Sequence, residues 1–113
     1  MTNKISEKDC IQDLETVLQE ELFTRLVGET ATESYNNVQA GTLQNTISER
    51  IYYLNEVVER LRGAYHDQGI QNWFYRERAQ LERKNPLQYL GQAWNPQDEN
   101  AQKVLELAKS LNH

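Results

Sequence analysis

The apolar residues of this chain recur every three or four positions, and no stretch alternates apolar and polar residues for long enough to form a β-strand. A spacing of three or four places apolar side chains on one face of an α-helix. The chain has 113 residues, of which 38% are hydrophobic, so it is long enough to bury a core. We therefore expect an all-α fold, a small helical bundle.

The N-terminal part carries two helix-start signals and one helix-stop signal. Ser6 and Asp9 resemble an N-cap pair, followed by an apolar stripe of Ile11, Leu14, Leu18 and Leu22. This predicts a first helix over residues 7–19 and a short second helix over 20–27, which stops at Gly28. Thr30 and Glu33 repeat the capping signature and open a polar segment that ends at Gly41.

The middle of the chain predicts its longest helix. Thr46 and Glu49 resemble another N-cap pair, and the apolar stripe over residues 47–65 consists of Ile47, Ile51, Leu54, Val58, Leu61 and Tyr65. Tyr52 and Tyr53 are adjacent, so only one of them can share this stripe; the other, with Val57, would lie on an outer face. After Asp67, a further amphipathic helix would carry Ile70, Trp73, Phe74 and Leu81.

Both prolines of the chain follow asparagine, at Asn85-Pro86 and Asn95-Pro96. Proline fits the first position of a helix because it has no amide hydrogen, and a preceding asparagine can accept hydrogen bonds from free amides. We therefore expect a short helix from Pro86 to Gly91, with Leu87 and Leu90 on its apolar side. The last helix would begin at Asn95-Pro96 and bury Ala101, Val104, Leu105, Ala108 and Leu111.

The charge is uneven along the chain. The net charge is −5, and residues 1–45 hold three basic and eight acidic groups. Basic residues cluster only around 50–62 and 76–84, so affinity for nucleic-acid phosphates should be modest. The cluster of Arg76, Arg78, Arg83 and Lys84 has two interpretations, a solvated face or a surface for phosphate or for an acidic partner.

No catalytic, metal or cofactor signature is present. Cys10 is the only cysteine, and His66 and His113 are the only histidines, with no serine or cysteine expected beside either. There is no glycine-rich phosphate loop. We therefore expect no enzymatic activity, no cofactor and no metal. Without an apolar leader or a membrane span in the sequence, we expect a reduced, cytoplasmic protein.

The order of motifs after Gly69 resembles a known domain. "WF", a later leucine, "NPLQYLG" and a terminal helix with Val and Ala recur in this order, and the matching residues are Trp73, Phe74, Leu81, Pro86, Leu87, Leu90, Val104, Leu107 and Ala108. This stretch of about 45 residues resembles the C-terminal toxin-binding domain of the MbcA/ParS/Xre antitoxin family. The resemblance implies a partner toxin similar to NAD-consuming RES-domain enzymes, inhibited by occlusion.

The N-terminal half resembles the helix-turn-helix of the same family. "LFTRLVGETATESYNNVQAG" places residues 22–28 as the first helix and Thr30 to Val38 as the recognition helix. Two features depart from the family pattern: this recognition helix lacks arginine and lysine, and no glycine follows the last helix. Asn36, Asn37 and Gln39, with Thr32, would be the candidate DNA-binding residues.

The paired caps and apolar stripes predict two lobes, over residues 1–65 and 66–113, and the resemblance makes the first helix-turn-helix-like and the second toxin-binding. The outward tyrosine and Val57, together with the resemblance, predict a homodimer. Two functions stay open: an antitoxin-like protein that also represses its own operon, or a DNA-binding regulator without a toxin. We expect weak DNA binding and no membrane partner. The candidate toxin contacts are Tyr89, Trp94, Leu111 and His113, and the candidate core residues of the C-terminal lobe are Trp73, Phe74, Leu87, Leu90, Val104 and Ala108.

The sequence leaves two roles open for Trp94. Its ring could pack the corner between the last two helices, or it could be exposed as an anchor for a partner, because tryptophan is enriched at interface hot spots.

Overall fold

A computed structural model describes residues 6–111 and confirms the all-α prediction. The described residues form six α-helices and one 3₁₀-helix, with no β-strand beyond a single backbone bridge between Arg78 and Lys84. The α-helices are α1 (Glu7–Val27), α2 (Ala31–Ala40), α3 (Asn45–Leu61), α4 (Asp67–Tyr75), α5 (Pro86–Leu90) and α6 (Glu99–Lys109). The 3₁₀-helix spans Ala79–Leu81.

Helix α1 contains the predicted junction between two helices. The N-cap side chain of Ser6 accepts a hydrogen bond from the Asp9 amide, and Gly28 closes the helix in a left-handed conformation. At Gln19 the backbone leaves helical geometry, with φ 69° and ψ 165°. The Gln19 Nε2 donates to the Thr16 carbonyl at 2.7 Å. This hydrogen bond gives a donor to a carbonyl near the break. The break divides α1 at the place where the sequence predicts a new helix.

Helix α2 begins with the expected capping box. The Thr30 hydroxyl accepts from the Glu33 amide, and the Glu33 carboxylate accepts from the Thr30 amide, both at 3.0 Å. Gly41 ends the helix with φ 72°. Thr46 and Glu49 do not make the corresponding box in α3, which starts at Asn45, two residues earlier than predicted, and ends at Leu61 rather than at 65.

Two further helix boundaries differ from prediction. Helix α4 ends at Tyr75, and Leu81 reaches the core from the 3₁₀-helix, because the backbone of Arg78 pairs with that of Lys84 and turns the chain back. Helix α6 begins at Glu99 and not at Pro96. The Asn95 amide donates to the Asp98 carboxylate at 2.9 Å and the Asp98 amide donates to the Asn95 carbonyl at 3.0 Å. Asn95-Pro96 is therefore part of a turn that precedes the helix.

The helices pack around α1 and α3. Helix α1 contacts α2, α3 and α4; α6 packs on α3; and α5 packs on α4 and α6. One hydrophobic cluster joins residues of both predicted lobes, among them Leu14, Leu54, Phe74, Trp94 and Val104. Among the helices of residues 6–111, none combines the length and the apolarity needed to cross a membrane.

Candidate protein-binding surface

Helix α5 is short, and three local features stabilise it. The Asn85 side chain accepts from the Gln88 amide at 2.7 Å, and the Gln88 side chain accepts from the Asn85 amide at 3.2 Å. Pro86 occupies the first turn, where no amide hydrogen is needed. Gly91 then ends the helix with φ 80°, a value that favours glycine. The sequence signal at Asn85-Pro86 therefore predicts this element correctly.

A groove lies between α5 and α6, with a volume of about 460 Å³. Tyr89 lines it but is buried, with 8% of its surface exposed, so this candidate toxin contact presents only the edge of its side chain. Its carbonyl accepts from the Asn100 Nδ2 at 2.9 Å, which ties α5 to the first turn of α6. The remaining lining residues are Glu82, Glu99, Gln102, Lys103 and Glu106. With carboxylates outnumbering the single lysine, this α5–α6 groove would favour a partner that carries positive charge beside an apolar group.

A second groove runs along the other side of α6, against α3. This α3–α6 groove has a volume of about 330 Å³, and it is lined by Glu49, Tyr52, Tyr53, Glu56, Pro96, Gln97, Gln102 and Leu105. Tyr52 is 40% exposed, whereas Tyr53 is buried and donates its hydroxyl to the Ala101 carbonyl at 2.6 Å. Val57, expected on the outer face, is buried, so of these three residues only Tyr52 is exposed.

Trp94 is a core residue, with 1% of its surface exposed. Its Nε1 donates to the Leu26 carbonyl at 2.8 Å, and its ring lies 5.0 Å from the ring of Tyr53. The prediction that Trp94 is an exposed toxin contact is therefore wrong. The physical reason is that the turn before α6 directs the indole toward the end of α1, where it fills the core and satisfies a carbonyl near the helix end.

The other candidate contacts and core residues have different positions. Leu111 follows α6 and is 40% exposed, while His113 lies outside the described residues. Of the candidate core residues, Leu87 is half-buried against the core. The others are buried: Trp73, Phe74, Leu90, Val104 and Ala108.

Arg50 is a residue whose role the sequence does not indicate. Its guanidinium donates to the carbonyls of Val27, Gln92 and Trp94 at 2.7–3.0 Å, and it lies 4.9 Å from the centre of the Trp94 ring. Burial lowers the pKa of Arg50 from its usual value. Arg50 therefore joins the end of α1 to the loop after α5. These carbonyls lie 23 to 44 residues away in the sequence, so no local sequence pattern could reveal the role of Arg50.

Helix α2 presents a polar row to solvent. Thr32, Asn36 and Gln39 are exposed, at spacings that place them on one side of the helix. Asn37 is half-buried and bonded internally, donating to Glu29 at 3.4 Å and accepting from Thr42 at 3.1 Å. Three of the four candidate DNA-binding residues are therefore accessible.

In residues 6–111, no group of three or more His, Cys, Asp or Glu side chains is placed to hold a metal ion. Cys10 is a buried free thiol, and burial, followed by the nearby Asp13, raises its pKa.

Comparison with protein-family models, with curated proteins and with solved structures gave no match to this chain.

Proposed function

We propose that this protein is an antitoxin-like interaction protein, which binds a partner toxin through the α5–α6 groove and occludes it. The observation that carries the proposal is the groove itself: Tyr89 lines it, and both of its walls are fixed, by the Asn85–Gln88 box and by the Asn100–Tyr89 hydrogen bond. Binding to a preformed surface avoids the entropy cost of ordering it. By resemblance, the toxin is of the RES type.

In this proposal the protein supplies a surface and no chemistry. Occlusion requires only that the partner's active site be covered, so no nucleophile or metal of this chain takes part. The proposed site of action is the cytoplasm, where the Cys10 thiol stays reduced.

The test is co-expression with a RES-type toxin. Lys103 and Glu106 are exposed groove residues, so the exchange Lys103→Glu/Glu106→Lys alters the charge pattern of the groove while the net charge stays the same. We expect this variant to lose co-purification with the toxin and protection of growth. The matched control is the exchange Glu21→Arg/Arg25→Glu, an exposed ion pair on α1. Normal toxin binding by the groove variant, or equal loss in the control, would refute the proposal.

A second function is favoured by the polar row of α2. Gly28 turns the chain between α1 and α2, and Thr32, Asn36 and Gln39 then face solvent as donors and acceptors for base edges. We propose that this row allows weak DNA binding, in a regulator with or without a toxin. Because α2 has no basic residue, the affinity should have a shallow salt dependence.

The measurement is fluorescence anisotropy with a duplex from the promoter of the gene, across a range of salt. We expect Asn36→Ala to weaken binding, while Gln68→Ala, which removes an exposed amide from α4, leaves it unchanged. Tight binding with a steep salt dependence would place the DNA contact elsewhere on the molecule.

We also propose that the protein is a homodimer. Tyr52 is a large, exposed apolar side chain in the α3–α6 groove, and tyrosine is enriched at interfaces.

A further inference from the structure

The chain turns tightly between α4 and α5, in a segment that we call the basic loop (residues 76–84). The Arg78 amide donates to the Lys84 carbonyl at 3.2 Å, and the Arg83 amide donates to the Arg78 carbonyl at 2.9 Å. Leu81, at the end of the 3₁₀-helix, is buried and anchors the loop in the core. The backbone therefore brings Arg78, Arg83 and Lys84 close together, on a segment fixed to the rest of the molecule.

Residues Glu82 and Arg83 adopt an unfavourable backbone conformation. Their φ values are 58° and 65°, in the left-handed region that side-chain-bearing residues rarely occupy. Each costs of the order of 1 kcal/mol relative to a right-handed conformation. The tight turn that clusters the cations is thus maintained against a local energetic cost.

The basic loop carries a net positive charge, because its four cations outnumber its two acids, Glu77 and Glu82. No ion pair of residues 6–111 includes Arg76, Arg78, Arg83 or Lys84. Elsewhere, Arg25, Arg62 and Lys109 each contact a carboxylate. The loop thus brings together three exposed cations, Arg76, Arg83 and Lys84, that form no ion pair within residues 6–111, in a protein with a net charge of −5.

Arg78 is held in a position that disfavours its charge. Its guanidinium lies 4.9 Å from the centre of the Trp73 ring, and its Nη2 donates to the Trp73 carbonyl at 3.3 Å, but the buried Nε has no acceptor. Burial, and after it the neighbouring charge of Arg76, lowers the pKa of Arg78. An anion bound beside the loop would favour the charged form of Arg78, against the burial and the Arg76 charge that disfavour it.

The residue types of this surface are those of protein interfaces. Tyr75, which immediately precedes the loop, is 44% exposed. Tyrosine and arginine are both enriched at protein–protein interfaces, where the tyrosine ring supplies apolar contact and the guanidinium fits a carboxylate in two-pronged fashion.

The charged surface of the basic loop is small, so it is better suited to a short anionic partner than to a long one. Charges are screened over about 10 Å at 0.1 M salt, whereas the molecule measures 42 × 32 × 24 Å. A nucleic-acid duplex would extend past the loop and over the acidic remainder of the surface, where it is repelled. A short acidic segment can contact the cations of the loop without extending over that acidic surface.

We propose that the basic loop docks a short acidic segment of a protein partner, with Tyr75 as the apolar contact beside it. This proposal rests on the proposed function as an interaction protein, and it identifies the chemistry of the partner. The loop adjoins the α5–α6 groove at Glu82, but Arg83 and Lys84 do not line that groove, so the two proposals can fail independently.

The experiment measures the binding of a fluorescein-labelled octaglutamate peptide to the full chain, by anisotropy at low ionic strength. Arg83→Gln/Lys84→Gln removes two exposed cations whose backbone atoms, and not their side chains, hold the loop. We expect this variant to bind the peptide roughly three- to tenfold more weakly, and added salt to weaken binding by the unaltered protein. Circular dichroism checks that the variant keeps its helices.

The matched control, Arg25→Gln/Lys109→Gln, also removes two cations, but from sites where the structure pairs them with Glu21 and Glu56. We expect it to bind the peptide as the unaltered protein does. No peptide binding by the unaltered protein, or equal weakening in the control, would overturn the proposal. A labelled DNA duplex that binds more tightly than the peptide, and with the same dependence on Arg83 and Lys84, would overturn it in favour of nucleic acid.

Discussion

At the scale of single residues, Trp94 connects three parts of the chain. Its indole donates to the Leu26 carbonyl of α1, contacts Tyr53 of α3, and lies against the Arg50 guanidinium. Each contact joins the loop after α5 to the N-terminal half. The side chain therefore fixes how the C-terminal helices are placed.

We expect Trp94→Ala to lower the free energy of unfolding by about 3–5 kcal/mol, because it leaves a large cavity in the core. Trp94→Phe keeps most of the ring but leaves the Leu26 carbonyl without its donor, at a cost of about 1–3 kcal/mol. Urea denaturation followed by circular dichroism measures both. If Trp94→Ala unfolded at the same urea concentration as the unaltered protein, the indole would not be a core group.

Tyr53 predicts a dependence of stability on alkaline pH. Burial, and next the charge of Glu56, raises the pKa of this phenol above its usual value of about 10. A raised folded-state pKa means that the stabilisation is fully present below about pH 10 and is lost as pH rises toward the folded-state pKa. We expect Tyr53→Phe to reduce this alkaline loss of stability.

The measurement is the urea midpoint as a function of pH above neutrality. Tyr53→Phe should be less stable near pH 7, because the Ala101 carbonyl loses its donor. The exposed Tyr75→Phe is the control and should follow the unaltered protein. An unchanged alkaline dependence in Tyr53→Phe would assign it to other groups.

At the scale of helices, the two Asn-Pro pairs behave differently although their sequences are alike. Asn85 caps α5 through its side chain, but the Asn95 side chain makes no such bond, and Asp98 takes the N-cap position of α6. A three-residue offset separates Asn95 from that position. The same dipeptide therefore starts a helix at one site and forms a turn at the other.

This difference predicts unequal effects of the same substitution. Asn85→Ala should lower the free energy of unfolding by about 1 kcal/mol, because α5 loses its cap. Asn95→Ala should change it by less than about 0.5 kcal/mol, since only an exposed side chain is removed. Thermal melting of the two variants side by side tests this, and equal destabilisation would contradict the assignment.

At the scale of the whole molecule, both predicted lobes contribute to one core. Helix α3 packs on α6, and the guanidinium of Arg50 bonds to carbonyls from both halves. We therefore expect the protein to unfold as one cooperative unit. The surfaces proposed for partners are the grooves on either side of α6, the polar row of α2 and the basic loop.

The proposed homodimer is tested by sedimentation at micromolar concentrations. We expect the unaltered protein to sediment as a dimer, and Tyr52→Glu to shift it to monomer by placing a charge in the α3–α6 groove. Tyr75→Glu, at an exposed tyrosine outside that groove, should remain dimeric. A monomer at every accessible concentration would exclude the dimer.

The sequence by itself determined the fold class and most helix ends. Capping residues and glycines act within a few positions of each other, as at Thr30–Glu33, Asn85–Gln88 and Gly41, so they are readable without tertiary information. The apolar stripes also indicated which side of each long helix is buried. The proposed functions rest on motif resemblance and on surfaces, and they remain predictions.

Only the tertiary structure decided which aromatic residues face inward, where α4 ends and where α6 begins. The Trp94–Leu26 hydrogen bond joins residues 68 positions apart, and the Arg78–Lys84 bridge turns the chain before Leu81 could extend α4. Such outcomes depend on whether a distant surface has space and an unpaired carbonyl at the right place. The spacing of residues along one helix carries no information about that surface, because it lies on another part of the chain.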